Sequence, residues 1–492
     1  MSQDEVITYG AYAPPQFGGN EKKDFDQVFV LQGPKYHDIW AGLLFLACVA
    51  GFTAVSGITI HAYATTKSSS GNGIYDGDTT FGLNTNSLIC LLICVGIAVV
   101  LSVLYMWAAR VLTKALIWIT GILNICLGLA TAIYMLYRHY YSGGIVFLVF
   151  VALNIFCFIS WIPRIPWSVL MLQTTIDVSR RYGHVYMASL LGGLSAAAFG
   201  VWYSVTMVAV YVKYEPGSGN AACSTTGGSC SKAKVIGIMV FITFAGYWIT
   251  EWLKNTIHTT IAGVYGSWYF AGDNANHYPR GTTRSSLRRA TTYSFGSISL
   301  GSLVVAIINF LRHLCSIAQQ QSANDGNIMS TIFFCLLGCF ISILDWAVQF
   351  VNRYAFCHIA LYGSSYFRAA KDTWTMIKNR GVDALVTQCL IGPVFSMGAV
   401  FVAYATALSA YVFLRITDPA YNQNGDYTPV LVAFAFLIGL QICNVFTVPI
   451  SSGIDTIFVA MAWDPQVLTQ RHPELYGRMV QVYPQVQQAV HG

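Results

Sequence analysis

Long stretches without aspartate, glutamate, lysine or arginine constrain the fold of this chain more than any other feature of its sequence. About 18 or more apolar residues with few charges are enough to cross the hydrocarbon core of a bilayer. Nine such stretches cover residues 39–66, 79–109, 115–137, 139–163, 182–212, 290–311, 326–344, 384–414 and 427–454. A tenth, residues 235–250, ends at Glu251, but its apolar pattern continues through Trp252, so we count it as a span that carries an acid.

Ten spans of this kind predict an all-α integral membrane protein. The segments are far longer than the strands of a membrane barrel, which have about ten residues, and they show no period of two. Charged residues make up only 10% of the 492 positions, against about 25% in an ordinary soluble domain, so a soluble fold is excluded.

The distribution of basic residues predicts the orientation. With ten spans both termini lie on one side, and that side carries 20 of the 27 lysines and arginines. Because these residues are enriched in cytoplasmic loops, we expect cytoplasmic termini. Residues 1–36, which have no apolar run, are predicted to form a disordered cytoplasmic tail, residues 37–465 the transmembrane domain, and residues 466–492 a cytoplasmic C-terminal tail.

Three of the predicted cytoplasmic connections have apolar residues at helical spacing. They are predicted to be amphipathic in-plane helices at the membrane surface, and packing beneath the bundle to seal its inner face is the simplest role for them. The apolar positions are Ile257, Ile261, Val264 and Trp268 after span 6, Phe367, Ala370, Trp374 and Ile377 after span 8, and Ile454, Ile457, Phe458 and Met461 after span 10.

A short internal match suggests a repeat. Residues 265–270 read YGSWYF and residues 362–367 read YGSSYF, and the same offset of 97 positions relates Asn255 to Asn352. Transporters are often built from repeated units. A chance match in a chain this rich in aromatic residues is the alternative.

Two of the thirteen cysteines, Cys223 and Cys230, lie in the Gly/Ser/Thr-rich loop predicted to face outwards between spans 5 and 6. Oxidising conditions there would let them form a small loop disulfide. The alternative is a pair of exposed thiols.

Glu251 is the first candidate for substrate binding. An ionisable residue within a span is costly and usually faces a cavity or a partner. Trp248, Trp252 and Asn255 share its helix face, and a carboxylate beside two indoles suits an organic cation. In the alternative interpretation the tryptophans are interfacial and Glu251 pairs with Lys254 at the cytoplasmic surface.

Asp345 in span 8 is the second acid, and Asn352 lies on its polar face. It could support the substrate path or be buried for structural reasons. If protons are exchanged, Glu251 and Asp345 are the candidate coupling sites, since burial raises the proton affinity of carboxylates. Pro449 in span 10 could interrupt its helix and free a backbone carbonyl for a substrate, although kinks without a function are commoner.

The basic loop of residues 280–292, RGTTRSSLRRATT, suits contact with anionic lipid, or phosphorylation at Ser285, Ser286 or Thr291. Ordinary anchoring by cytoplasmic arginines explains it equally well. The sequence contains no metal-ligand cluster, nucleotide-binding loop, nucleophile motif or nucleic-acid patch, so we expect neither an enzyme nor a cofactor.

Four long stretches, in this order, resemble the choline transporter-like family, specifically its fungal pH-nine-sensitive branch. They are residues 29–46 (FVLQGPKYHDIWAGLLFL), 246–270 (GYWITEWLKNTIHTTIAGVYGSWYF), 352–374 (NRYAFCHIALYGSSYFRAAKDTW) and 451–465 (SSGIDTIFVAMAWDP). The resemblance implies ten spans, cytoplasmic termini, a plasma or internal membrane, and transport of choline or a related amine, with proton exchange as an option. The short loop at residues 67–78 and the absence of Asn-x-Ser/Thr differ from animal members and are compatible with the fungal branch.

The resulting hypothesis is a secondary transporter of small organic cations that works by alternating access in the plasma membrane. Trp248, Glu251, Trp252 and Asn255 would line the path, with Asp345 and Asn352 supporting it. The alternatives are a non-transporting scaffold or lipid-organising membrane protein, in which the acids are structural, and a channel.

Overall fold

The structure is a computed structural model that describes residues 35–68, 85–137, 139–214, 231–272, 281–379, 391–417, 428–484 and 486–487. Within these ranges all regular secondary structure is helical. Ten helices are long and apolar enough to cross a membrane. They are α1 (Ile39–Ser68), α2 (Thr85–Val111), α3 (Thr113–Tyr137), α4 (Tyr141–Trp161), α6 (His184–Tyr214), α7 (Lys232–Ala271), α9 (Phe295–Asn324), α10 (Ile328–Tyr362), α12 (Ile391–Thr417) and α13 (Thr428–Trp463). The prediction of an all-α protein with ten spans is confirmed.

Five shorter helices complete the described fold: α5 (Ile165–Arg181), α8 (Thr282–Thr291), α11 (Tyr366–Asn379), α14 (Pro465–Arg471) and α15 (Pro473–Val482). A 3₁₀ turn at Ile162–Arg164, which contains Pro163, separates α4 from α5. The last two helices occupy the predicted C-terminal tail, where Leu468 and Met479 are buried. That part of the tail is therefore packed against the bundle.

Both described ends of the chain lie on one side of the bundle, which we call the terminal side. The carboxylate of Asp38, just before α1, accepts a hydrogen bond from the backbone of Tyr366, just after α10. Asp464, just after α13, bonds the hydroxyl of Tyr362 at the end of α10. The terminal side is the one that the basic residues predict to be cytoplasmic.

Two of the three predicted in-plane segments are instead continuations of membrane spans. Helix α7 runs unbroken to Ala271, and every residue from 259 to 270 is buried. Helix α13 likewise continues to Trp463, with residues 452–462 buried. The prediction of surface helices there is wrong, because protein surrounds these turns on all sides. Apolar residues at helical spacing therefore do not distinguish a membrane-facing side of the helix from a solvent-facing side.

The third segment does form a separate helix, α11. Tyr366, Ala369 and Thr373 are buried against the bundle, whereas Phe367 and Trp374 on the predicted apolar face are exposed. The face of α11 that packs against the bundle is therefore opposite to the predicted apolar face. An exposed Phe and Trp at this spacing are typical of a helix that rests on a membrane surface.

Pro449 lies inside α13 without ending it. Proline lacks an N–H, so the carbonyl four residues earlier, that of Val445, loses its usual helical donor. The hydroxyl of Ser189 on α6 donates to this carbonyl. In this conformation the freed carbonyl therefore joins α6 to α13 and does not face a substrate.

Candidate functional site

The two tryptophans of α7 lie in a cluster of four aromatic rings. Phe45 of α1 stacks on Trp252, with ring centroids 5.0 Å apart, and meets Trp248 edge-on at 5.3 Å. Phe295 of α9 contacts Trp252 at 5.6 Å. Rings at these separations pack directly on one another, so this cluster holds no cation-sized space in the conformation described.

The two indole nitrogens differ in their surroundings. Nε1 of Trp248 donates to the backbone carbonyl of Ser299 on α9, at 3.0 Å. Nε1 of Trp252 is buried and has no hydrogen-bond partner within the described parts of the chain. Buried donors are nearly always paired, so Trp252 carries an unused one beside the candidate path.

Glu251 lies between these tryptophans in the sequence and pairs with Lys254, at 3.4 Å. The glutamate side chain is 14% exposed and the lysine 59%. This is the ion pair that the alternative interpretation of the sequence expects. An exposed partner contributes little stability, so the pair leaves Glu251 able to change partners at small cost.

Asn255 and Asn352, the two asparagines at the repeat offset, both bond to α9. The Asn255 amide donates to the hydroxyl of Ser302 at 2.9 Å, and the Asn352 amide donates to the carbonyl of Gly301 at 3.1 Å. Both side chains are buried. Neighbouring positions of α9 are thus held by α7 on one side and α10 on the other.

A residue that the sequence interpretation missed, Asp38, extends this arrangement to α1. Its carboxylate accepts hydrogen bonds from the hydroxyl of Ser297 at 2.7 Å and the backbone N–H of Tyr366 at 2.9 Å. The hydroxyl of Tyr366 in turn donates to the side-chain oxygen of Asn352. We call Asp38, Asn255, Ser297, Asn352 and Tyr366 the terminal-side network, which joins α1, α7, α9, α10 and α11.

Asp345 lies away from this network, at the midpoint of α10. Its carboxylate accepts from Arg312 of α9 at 3.1 Å and from Gln349 at 2.8 Å. Arg312 was expected at the end of span 7, but α9 continues to Asn324 and places it within the helix. The contacts fit the structural role that the sequence left open for Asp345.

A second buried polar cluster links α7, α10 and α13. His258 contacts the hydroxyl of Ser452 at 2.7 Å and the backbone carbonyl of Arg353 at 2.9 Å. The side chain of Arg353 lies 3.6 Å from the buried carboxylate of Asp455. Asp455 directly follows the charge-free stretch 427–454 and is not among the site residues predicted from the sequence.

The tyrosines of the repeated segments also bond across the terminal side. The hydroxyl of Tyr269 donates to the carbonyl of Asp464 at 2.9 Å, and that of Tyr362 donates to its carboxylate. The two copies differ locally, since α7 passes through Gly266, whereas α10 ends at Gly363 in a left-handed conformation, with φ of 62°. A repeat remains a prediction.

The three candidate phosphorylation sites on α8 differ in their exposure. Ser286 is buried and donates to the carbonyl of Thr260 at 2.6 Å. Ser285 is half-buried, and Thr291 is exposed. Thr291 is therefore the one accessible to a kinase in this conformation.

Cys223 and Cys230 lie outside the described residues, so their disulfide remains a prediction. Nine of the cysteines within the described ranges are free thiols.

Comparison with known proteins identifies the family. A family model described as "Plasma-membrane choline transporter" matches residues 145–466. The chain is 57% identical to Protein PNS1 of Gibberella zeae, over 97% of this chain and 88% of that protein. It is 59% identical to pns1 of Aspergillus fumigatus, over 97% and 89%, and 41% identical to PNS1 of Saccharomyces cerevisiae, over 94% and 87%. The chain belongs to the choline transporter-like family.

All the substrate-binding residues predicted from the sequence lie in the part that the choline transporter-like family model matches. Asp38 and Phe45 precede it, but the PNS1 relatives cover nearly the whole chain. The missed acids, Asp38, Asp455 and Asp464, all fall inside the four stretches that carry the family resemblance. Those stretches were the signal that could have identified them.

Proposed function

We propose that this protein carries choline or a related small organic cation across a membrane, by alternating access. Membership of the choline transporter-like family carries the proposal, because it gives the substrate class that no single side chain specifies. The plasma membrane, with cytoplasmic termini, is the proposed location, supported by the excess of basic residues on the terminal side.

The packing along α7 supports a conformation closed on the terminal side. Most residues from 231 to 240 are exposed, whereas all of those from 259 to 270 are buried. In alternating access one side of the transporter closes while the other opens around a central site. The terminal-side network holds together the five helices that would have to separate to open that side.

The substrate path in this proposal runs along the α7 face that carries Trp248, Glu251, Trp252 and Asn255. Phe45 now covers the two indoles. Movement of α1 away from α7 would expose their faces, which attract quaternary ammonium groups by about 0.5–2 kcal/mol each. Glu251 would then exchange Lys254 for the substrate cation.

Asp345 and Asn352 support the path in different ways. Asn352 belongs to the terminal-side network, and Asp345 holds α9 to α10 through Arg312. Proton coupling is part of the proposal, with Glu251 as its candidate site. Lys254, the present partner of Glu251, is largely exposed, so the carboxylate can exchange this partner at small cost.

Uptake of labelled choline into proteoliposomes, with and without a pH gradient, tests the proposal. We expect saturable uptake, and Trp252→Ala should raise KM by about 2- to 30-fold if one indole face is lost. Glu251→Gln should reduce uptake and abolish any effect of the gradient. Matched controls are Trp346→Ala, an exposed tryptophan on α10, and Glu474→Gln on α15, which should transport normally.

Three results would argue against the proposal. Absence of saturable uptake, with lower thermal stability in the acid variants, would favour a scaffold or lipid-organising protein. Non-saturating conductance would favour a channel. Saturable uptake that is unchanged by Glu251→Gln and Trp252→Ala would preserve the transport function but remove these residues from the path.

A further inference from the structure

An apolar groove opens on the terminal side, between the start of α1 and the start of α9. Its cavity has a volume of about 380 Å³, within the range of small-molecule sites, about 300–1,000 Å³. Ile39, Leu43 and Leu46 line it from one face of α1, and each is more than half exposed. The groove is therefore open to the surroundings of the bundle, where the membrane lies.

The floor of the groove is formed by close packing of the two helices. A Cβ atom on Gly42 would lie 2.9 Å from the ring of Phe295, so glycine is needed for α1 to approach α9 this closely. Towards the terminal side the lining becomes polar, with His37, Thr291 and Thr292, and the rings of Tyr36 and Tyr293 lie 4.9 Å apart.

The basic helix α8 leads directly into this polar end. Its buried face is Thr282, Ser286 and Ala290, and the bond from Ser286 to the Thr260 carbonyl fixes it on α7. The opposite face, with Arg284 and Arg288 at a spacing of one turn, is exposed. The arginines thus lie on the exposed side of a helix whose last residue, Thr291, lines the groove.

We propose that this groove binds an anionic phospholipid of the leaflet on the terminal side. An acyl chain would lie along Ile39, Leu43 and Leu46, and the phosphate would lie near Arg288 and Thr291. Charge decides between headgroups, because none of the described residues that line the groove is acidic. Arg284 and Arg288 are exposed on α8, the helix whose last residue, Thr291, lines the groove. The inference does not depend on the transported substrate.

Native mass spectrometry of the full detergent-purified chain, titrated with phosphatidylinositol or phosphatidylcholine of matched acyl chains, tests the site. We expect preferential retention of phosphatidylinositol. The double variant Arg284→Gln/Arg288→Gln should bind it about 25-fold more weakly, from the contribution of each basic residue near a charged headgroup. Leu43→Trp, which fills the groove from an exposed position, should reduce retention of both lipids.

The control is Arg180→Gln, which removes an exposed arginine from α5 on the same protein and should retain the preference. Thr291→Asp should weaken it, because a negative charge then adjoins the phosphate position. Equal retention of the two lipids by the unchanged protein, or an unchanged preference in the double variant, would overturn the proposal. Displacement of phosphatidylinositol by inorganic phosphate alone, with no effect of Leu43→Trp, would also overturn it in favour of a free-anion site.

Discussion

Removal of one hydroxyl from the terminal-side network should shift the protein towards conformations open on that side. In Tyr366→Phe the buried side-chain oxygen of Asn352 loses its donor. Each of the two residues is 4% exposed, so water does not readily replace the hydroxyl. Leaving a buried acceptor unpaired costs about 1–3 kcal/mol.

This cost acts on the conformational equilibrium only if the bond is absent when the terminal side is open. In that case the open population rises about 5- to 150-fold while it remains the minority. Cys357 is a suitable reporter, because it is fully buried on α10 and its sulfur lies 3.4 Å from His258. Its alkylation by N-ethylmaleimide, with all other cysteines replaced by alanine, should accelerate by the same factor.

Tyr404→Phe is the matched control. Tyr404 lies on α12 with its side chain largely exposed, and its ring packs on Phe436 at 5.1 Å. Its labelling rate and melting temperature should equal those of the parent. A lower melting temperature in Tyr366→Phe, with unchanged labelling of Cys357, would refute the gating role, because the bond would then exist in both conformations. No change in either would mean that the bond contributes nothing.

Three further predictions concern stability and can be measured by thermal unfolding of the purified protein. Arg312→Gln should lower the free energy of unfolding by about 1–3 kcal/mol, because the buried carboxylate of Asp345 loses its half-exposed partner. The double variant Arg312→Gln/Asp345→Asn should recover most of this stability. A double variant as unstable as Arg312→Gln would contradict the pairing. Gly363→Ala should cost about 1–2 kcal/mol because φ is 62°, whereas Gly200→Ala, in a helix with open space at its Cβ, should be neutral or stabilising. Burial raises the pKa of Tyr366 from 10.0 to about 12, so the folded state favours the neutral phenol. The contribution of Tyr366 to the free energy of unfolding should therefore be constant up to about pH 10 and be lost as the pH rises towards 12. A loss of this contribution near neutral pH would contradict the prediction.

The ten helices were predictable because charge is costly in hydrocarbon, and the gaps between charges follow directly from that cost. The same criterion misplaced the helix ends. It ended span 7 before Arg312 and span 10 before Asp455, although both helices continue. A charge with a nearby partner does not end a helix, and the partners, Asp345 and Arg353, are supplied by α10 from elsewhere in the sequence.

The surroundings of the candidate site residues follow from the sequence only where contacts are local. Helical spacing predicted Trp248 and Trp252 on one face of their helix, because spacing within a helix is a local property, and in the structure both rings contact Phe45. The rings that cover them, Phe45 and Phe295, come from two other helices, and no pattern within α7 indicates their arrival. Asp38 was missed because it precedes the first apolar stretch and acts only through contacts with α9 and α11.

The asparagine pair bears on the predicted repeat, because both of its members bond to the same helix. Helices α7 and α10 begin at Lys232 and Ile328, and Asn255 and Asn352 bond to adjacent residues of α9, which lies between them in the chain. Helices α7 and α10 would thus contact α9 at the same level of the bundle. The copies diverge beyond that point, where α7 continues and α10 ends at Gly363, and only the second copy gains the Tyr366 hydroxyl bond to its asparagine. If terminal-side opening separates α9 from one of these helices, the α10 contact is therefore the one stabilised by an additional partner, and Asn255 of α7 should be released first.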